Sequence, residues 1–496
     1  MSLSLSQCGS FFQAVAAREV LASRVFHRPN VRGMISNGEI CGCGVLELKN
    51  NGVNVPPLAI TFGKGHDNGH LLAVADEEGF LSIFNAREHL PSLADCHRET
   101  ENVRIGRLLA HNNAVFDICW LQDGVHMLTA SGDQTIKLWD MNLLKEKGTM
   151  MGHNGSVKSV SMHPFHERQF ISGSRDGNVA IWDLRSQDSS TNLGIESSFR
   201  PVAWIKDAHV PSRRRKQHSH KSTTKSVTAV VYLKDGQLLA SAGAADGKLK
   251  FWDIRNVKMP VHQILPGEAR FQNGAKGRRA HGIASLSQDP SGTHLIASST
   301  DNKIYMYHLA QPKDPLKIFS GHMVGSFYVK AVFSPDGTHI LSGSTDGKVF
   351  VWQVDGPAED SPAILQGHAS EVTAVDWCPT DFCKVATCSD DHMVRVWSIR
   401  NSCFAQKLHS STIERHTNTL PFNKRLVAPS LAETSAASFG EDEAVHDFSM
   451  SEKVFLRHNQ RKFNEDGQPK YGEELMNSAF TFSKRQRSIS HYFAYL

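Results

Sequence analysis

Apolar and polar residues alternate in short bursts along most of the chain, and the bursts recur. "HMLTASGDQTIKLWD", "QFISGSRDGNVAIWD", "LLASAGAADGKLKFWD", "HILSGSTDGKVFVWQ" and "KVATCSDDHMVRVWS" each read as strand, tight turn, strand. After each turn the side chains alternate, as with Ile136 and Leu138 against Lys137, the period of two that a strand requires. The turns are Asp-Gly or Asp-polar pairs: Asp bonds nearby backbone and Gly accepts a positive φ. Trp139-Asp140, Trp182-Asp183 and Trp252-Asp253 close three bursts, Trp352-Gln353 and Trp397-Ser398 close two more, and Tyr307 takes the Trp place in another. Upstream lie Ala110-His111, Gly152-His153, Gly321-His322 and Gly367-His368, with His-to-Trp separations of 28, 29, 30 and 29 residues. "HLLAVADEEGFLSIFN" from His70 adds a degenerate first copy and "HLIASSTDNKIYMYH" from His294 the fifth, which makes seven copies.

A period of some forty residues built from strands predicts radially stacked four-stranded sheets, in which neighbours bury one another's faces. The copies resemble the WD40 family from about Val55 to Arg400. The resemblance implies an all-β fold, a seven-bladed propeller, in which His, turn Asp and Trp form a structural hydrogen-bond network. His153, Asp176 and Trp182 carry it in the third copy. The domain reading is an N-terminal extension over 1–50, a propeller over 51–401 and a tail over 402–496. Within the extension, Phe11 to Phe26 reads as a short helix capped by Ser10, with a transit peptide as the alternative.

Composition adds exclusions. No run of eighteen apolar residues occurs, so a membrane-spanning helix is not expected. Nine scattered cysteines point to a reducing compartment. Cys378, Cys383, Cys388 and His392 lack metal-knuckle spacing and read as buried thiols on separate strands and a turn. There is no phosphate-binding Gly-rich loop, no G-x-S-x-G elbow and no His-Glu-x-x-His pair. No catalytic residue, metal or cofactor is expected, and the chain reads as a binding protein.

Function must then lie where the copies depart from their own pattern. Arg185 and Arg255 stand two residues after Asp183 and Asp253, where the preceding copy has Asn142. The two Trp-Asp-x-Arg tetrapeptides, Trp182, Asp183, Arg185 and Trp252, Asp253, Arg255, resemble the motif by which WD40 receptors dock the damaged-DNA-binding adaptor of cullin-RING ubiquitin ligases. A capped strand end is the plain alternative. Trp182 to Trp252 spans 70 residues where other intervals are near 44, which predicts an extra loop in the fourth blade. Arg200 to Lys225 carries eight Lys or Arg against Asp207, a local +7 inside a chain of net +4. Its run Arg213, Arg214, Arg215, Lys216 lacks interleaved aromatics and reads as a nuclear import signal, not as a sequence-specific nucleic-acid reader. Arg270 to Arg279 is a second, smaller basic stretch.

At the C-terminus Gln486, Ile489, Tyr492 and Phe493 resemble the sliding-clamp-binding box of replication proteins. In one 3₁₀ turn residues three apart eclipse, so Ile489 and Tyr492 share a face with Phe493 beside them. The acid before the two aromatics and the base after them, which mark a destruction signal in the family, are absent here. The box therefore reads as a tether.

Together these features are similar to the denticleless-type substrate receptors of cullin-RING ligases, in a plant-like form. "LLAVADEEGFLSIFN", "NNAVFDICW", "SFYVKAVFSPDG" and "KVATCSDDHMVRVW" carry the likeness, while 1–50 and most of the tail do not. The resemblance implies a nuclear, non-catalytic receptor whose partners are the adaptor and its ligase, the sliding clamp (PCNA), and clamp-bound substrates such as the replication licensing factor. A nuclear chromatin- or histone-binding scaffold without a ligase role is the alternative.

Overall fold

The computed structural model describes residues 38–65, 68–87, 90–186, 197–209, 225–267, 281–356 and 361–401. Their strands form seven sheets of at least four strands, in the chain order 57–109, 115–150, 157–205, 227–264, 283–320, 331–366 and 372–401. These are blades 1 to 7, each an antiparallel meander whose first strand lines the central channel. The turn between second and third strands needs a left-handed residue in every blade. Gly79, Gly177, Gly247 and Gly347 supply four of these, while Gln134, Asn302 and His392 adopt positive φ at a steric cost.

Seven apolar clusters hold the ring, each shared by two consecutive blades. Ile171, Val179, Val227, Leu239 and Trp252 join blades 3 and 4, and Ile296, Phe319, Ile340 and Trp352 join blades 5 and 6. No blade owns a complete core, so the blades stand or fall with their neighbours.

The ring closes through strand Gly38–Glu47, which pairs antiparallel with Met393–Asn401 and supplies the fourth strand of blade 7. This corrects the expected boundary: the propeller starts at Gly38, not at residue 51. Leu46 and Leu48 are buried with Val394, Val396 and the blade 1 residues Phe62 and Leu72. Three hundred and fifty residues separate the two paired strands, so no local pattern announces the closure. Helix Cys96–Val103, in the third connection of blade 1, secures it: Thr100 Oγ1 accepts the Glu47 N–H at 3.1 Å. The expected helix over Phe11–Phe26 lies outside the described residues.

Candidate docking rim

The repeated histidines form the scaffold network. His153 Nδ1 lies 3.0 Å from Asp176, its Nε2 lies 2.8 Å from Ser172 Oγ, and Trp182 Nε1–H donates to the same hydroxyl at 2.8 Å. The network orders the protons: Nδ1–H points to the carboxylate and the hydroxyl donates to Nε2. Blade 2 repeats this with His111, Asp133, Thr129 and Trp139, and blade 7 with His368, Asp391, Thr387 and Trp397. Burial by itself would raise the Asp133 carboxyl, but hydrogen bonds from His111 and Thr135 outweigh it and hold it down at about 2.

Blade 4 has the same network through His209, which bonds Asp246 at 3.0 Å and Ser241 at 2.8 Å, with Trp252 on the same serine. The sequence pattern missed His209 because the basic insertion stands between it and its Trp. Its signal was the Ala208-His209 pair, matching Ala110-His111. Blade 6 is the reverse case. His322 has the expected dipeptide, yet neither ring nitrogen has a hydrogen-bond partner, and Trp352 Nε1 donates to the Ser320 carbonyl instead. Its separation of 30 residues is the longest of the four.

The meander sorts the loops onto two rims. Turns after the first and third strands of each blade lie on one rim, here rim A. Turns after the second strand, and the links to the next blade, lie on the opposite rim B. Arg185 and Arg255 follow third strands and stand on rim A. Each Asp of the tetrapeptide caps its own turn, accepting the backbone N–H of the Arg at 2.9 Å. Each guanidinium folds back on that carboxylate: Arg255 Nε and Nη2 reach Asp253 at 3.1 and 3.0 Å, and Arg185 grips Asp183 in the same way. The side chains stay 62% and 69% exposed. The fork therefore has one edge tied down and its Nη1 edge presented to solvent, an oriented donor pair at little entropic cost. Arg185 beside it holds the Asp183 carboxyl well below the usual carboxylate range. In blade 2, Lys147 neutralises Asp140 instead, and no such fork forms.

Rim A is also where exposed apolar side chains gather. Leu143 of blade 2, Phe165 and Val202 of blade 3, Met259 and Val261 of blade 4 and Leu316 of blade 5 are exposed there. Phe165 reaches across to Gly236 in the next blade, whose added Cβ would meet the ring at 2.9 Å. Apolar groups around a pair of oriented cations suit a protein partner.

The other expected sites fare differently. Arg213, Arg214, Arg215 and Lys216, and Gln486, Ile489, Tyr492 and Phe493, lie outside the described residues. The described flanks of the basic insertion, His209 and Lys225, belong to the link between blades 3 and 4 on rim B, opposite the Arg pair. Cys378, Cys383, Cys388 and His392 do not converge; Cys378 donates to the Gly69 carbonyl and Cys388 is wholly buried.

Comparison with known proteins agrees with this architecture. A family model described as "WD domain, G-beta repeat" matches 102–140, 144–183, 212–253, 276–308, 313–353 and 360–398, leaving the degenerate blade 1 unmatched. Denticleless protein homolog A of Xenopus laevis is 39% identical over 366 residues, covering 71% of this chain and 49% of that protein. The human Denticleless protein homolog is 38% identical, covering 70% of this chain and 47% of its own length. Protein lethal(2)denticleless of Drosophila melanogaster is 34% identical, covering 66% and 43%. The chain spans about half the length of the curated relatives it matches. With seven blades, a network repeated in four of them and this similarity across the propeller, the chain belongs to the denticleless-type WD40 proteins.

Proposed function

We propose that this chain is the substrate-recognition subunit of a cullin-RING ubiquitin ligase and presents clamp-bound replication or cell-cycle proteins for ubiquitin transfer. The observation that carries the reading is the pair of pre-oriented Arg forks on rim A, in adjacent blades, set among exposed apolar side chains. A partner acidic or carbonyl-rich surface fits the Nη1 edges, and Phe165 and Met259 offer the buried contact area. In this reading the chain catalyses nothing. It supplies proximity and orientation to a reaction carried out by other subunits. The C-terminal Gln486, Ile489, Tyr492 and Phe493 tether the ligase to the sliding clamp and raise its local concentration there. Arg213 to Lys216 direct the protein to the nucleus.

Co-precipitation of the damaged-DNA-binding adaptor with the Arg185→Ala, Arg255→Ala double variant tests the reading. Loss of the two charge-assisted contacts, each on the order of 1.5–3 kcal/mol, should remove most of the adaptor from a normally folded propeller. Undiminished capture would rule the docking assignment out and leave a scaffold role as the better account.

A further inference from the structure

The link between blades 5 and 6, residues 321–330, departs from its six counterparts. Its histidine has no network, and the strand after it, Ala331–Phe333, is half the usual length. The segment crosses the rim B mouth of the central channel. Phe327 packs toward Gly282 at the entry to blade 5, where an added Cβ would meet its ring at 2.5 Å. Tyr328 reaches the far wall, packing with Leu58 of blade 1 and Ala114 and Phe116 of blade 2. It stacks on Phe116 with centroids 5.8 Å apart and planes 17° apart. Lys330 Nζ follows it across to Asp117 at 2.6 Å. Blades 6 and 2 stand nearly opposite in a ring of seven, so the aromatic stack and the ion pair form a crossbar. The channel holds a cavity of about 340 Å³ lined by these residues.

Lys158 of blade 3 lies over this crossbar, its Nζ 3.3 Å from the Phe116 centroid and 5.3 Å from that of Tyr328. Arg175, in the rim B turn of the same blade, is close enough to act on it. Burial and that guanidinium together push the Lys158 ammonium down to about 7. Two neighbouring cations, one of them desolvated over rings, gain from an anion placed between them. A free polyanion is a poor occupant, because blades 6, 7 and 1 line the same rim with Glu371, Asp390 and Glu77. Those groups lie near enough together to drive the Asp390 carboxyl up to about 7, with burial the larger cause. A single carboxylate on an otherwise uncharged or basic chain suits both walls.

We infer that the rim B mouth is the peptide-reading site of this receptor, where Lys158 and Arg175 take one acidic side chain of an extended substrate segment laid across the Phe116–Tyr328 crossbar. This rests on the receptor reading above, and it places substrate and adaptor on opposite rims.

The test pans the full-length protein against random linear peptides, with phosphoserine-containing peptides as a separate arm. Wild type should enrich one Asp or Glu position flanked by apolar residues. The selected peptide, labelled and read by fluorescence polarisation, should lose roughly tenfold or more in affinity on Lys158→Met. Arg175→Gln should weaken it too, while Lys158→Arg should retain most of the binding. Arg175 is exposed, so its variant carries the test if Lys158→Met fails to melt like wild type. Absence of an acidic preference, enrichment of phosphoserine alone, or folded Lys158→Met and Arg175→Gln proteins that bind as wild type does would each overturn the inference. Adaptor capture measured on the same preparations separates the two claims. An intact peptide preference in a protein that never binds adaptor would sink the ligase reading and leave this one standing.

Discussion

At the scale of single residues, the same letter does different work in different blades. His153 and His322 both follow Gly and both precede a Trp by about one repeat, yet only His153 is bonded at both nitrogens. His153→Ala should leave Asp176 and Ser172 short of partners and cost about 1–3 kcal/mol. His322→Leu removes two unpartnered ring nitrogens from a buried site against Trp352, and should be neutral or stabilising. Urea unfolding of both variants checks this, and equal losses would mean that the repeat letter, not its bonding, sets the energy. Asp390 gives a pH-dependent case. Its folded-state carboxyl sits near 7 through burial and the neighbouring Glu371, Glu77 and Asp391, against roughly 3.9 in an unfolded chain. The native state holds this proton more tightly, so the contribution is full below the unfolded value and is lost as pH rises through 7. Asp390→Asn should raise the melting temperature at pH 8 and leave it nearly unchanged where the wild-type carboxyl is already neutral in both states. A constant difference between variant and wild type across that range would contradict the assignment.

At the scale of elements, the strand that closes the ring matters more than its sequence suggests. Gly38–Glu47 pairs along nine positions with Met393–Asn401 and lays Leu46 into the blade 7–blade 1 cluster. A chain beginning at Asn51, where the repeat pattern alone sets the domain start, lacks the fourth strand of blade 7 and exposes an edge on Met393–Asn401. A chain beginning at Gly38 keeps it. The shorter chain should melt earlier and less cooperatively, and hydrogen exchange should be fastest in blades 7 and 1. Identical melting of the two would show that the ring closes without this strand. The repeat made six sheets legible as complete units, because each copy contains its own strands and turns. The seventh was legible only in three strands, because its fourth comes from the other end of the domain.

At the scale of the molecule, the topology separates two functions. The Arg forks and the apolar patch lie on rim A, while the crossbar, Lys158 and the flanks of the basic insertion lie on rim B. A receptor that holds a ligase on one face and a substrate on the other needs this separation. The tail adds a third contact in the proposed function. A peptide spanning Ser483 to Leu496 should bind the sliding clamp with micromolar affinity, about −8 kcal/mol, and Tyr492→Ala with Phe493→Ala should abolish it. In the full protein the same change should slow substrate turnover without lengthening the receptor's own lifetime. Calorimetry without heat at high micromolar clamp would remove the tether.

The sequence by itself determined the repeat and therefore the blades, since strand alternation, the turn Asp and the Trp are written within each copy. It also marked Arg185 and Arg255, because a departure from a regular pattern is visible wherever the pattern is. Tertiary structure alone decided the rest. An insertion broke the spacing that would have identified His209, and only the fold returns that ring to Asp246. Ring closure joins strands from opposite ends of the domain. Lys330 meets Asp117 across 213 residues of chain, and Tyr328 meets Phe116 beside them. Such contacts depend on which blades face each other in a closed ring of seven, a quantity that no local period of hydrophobic and polar residues encodes.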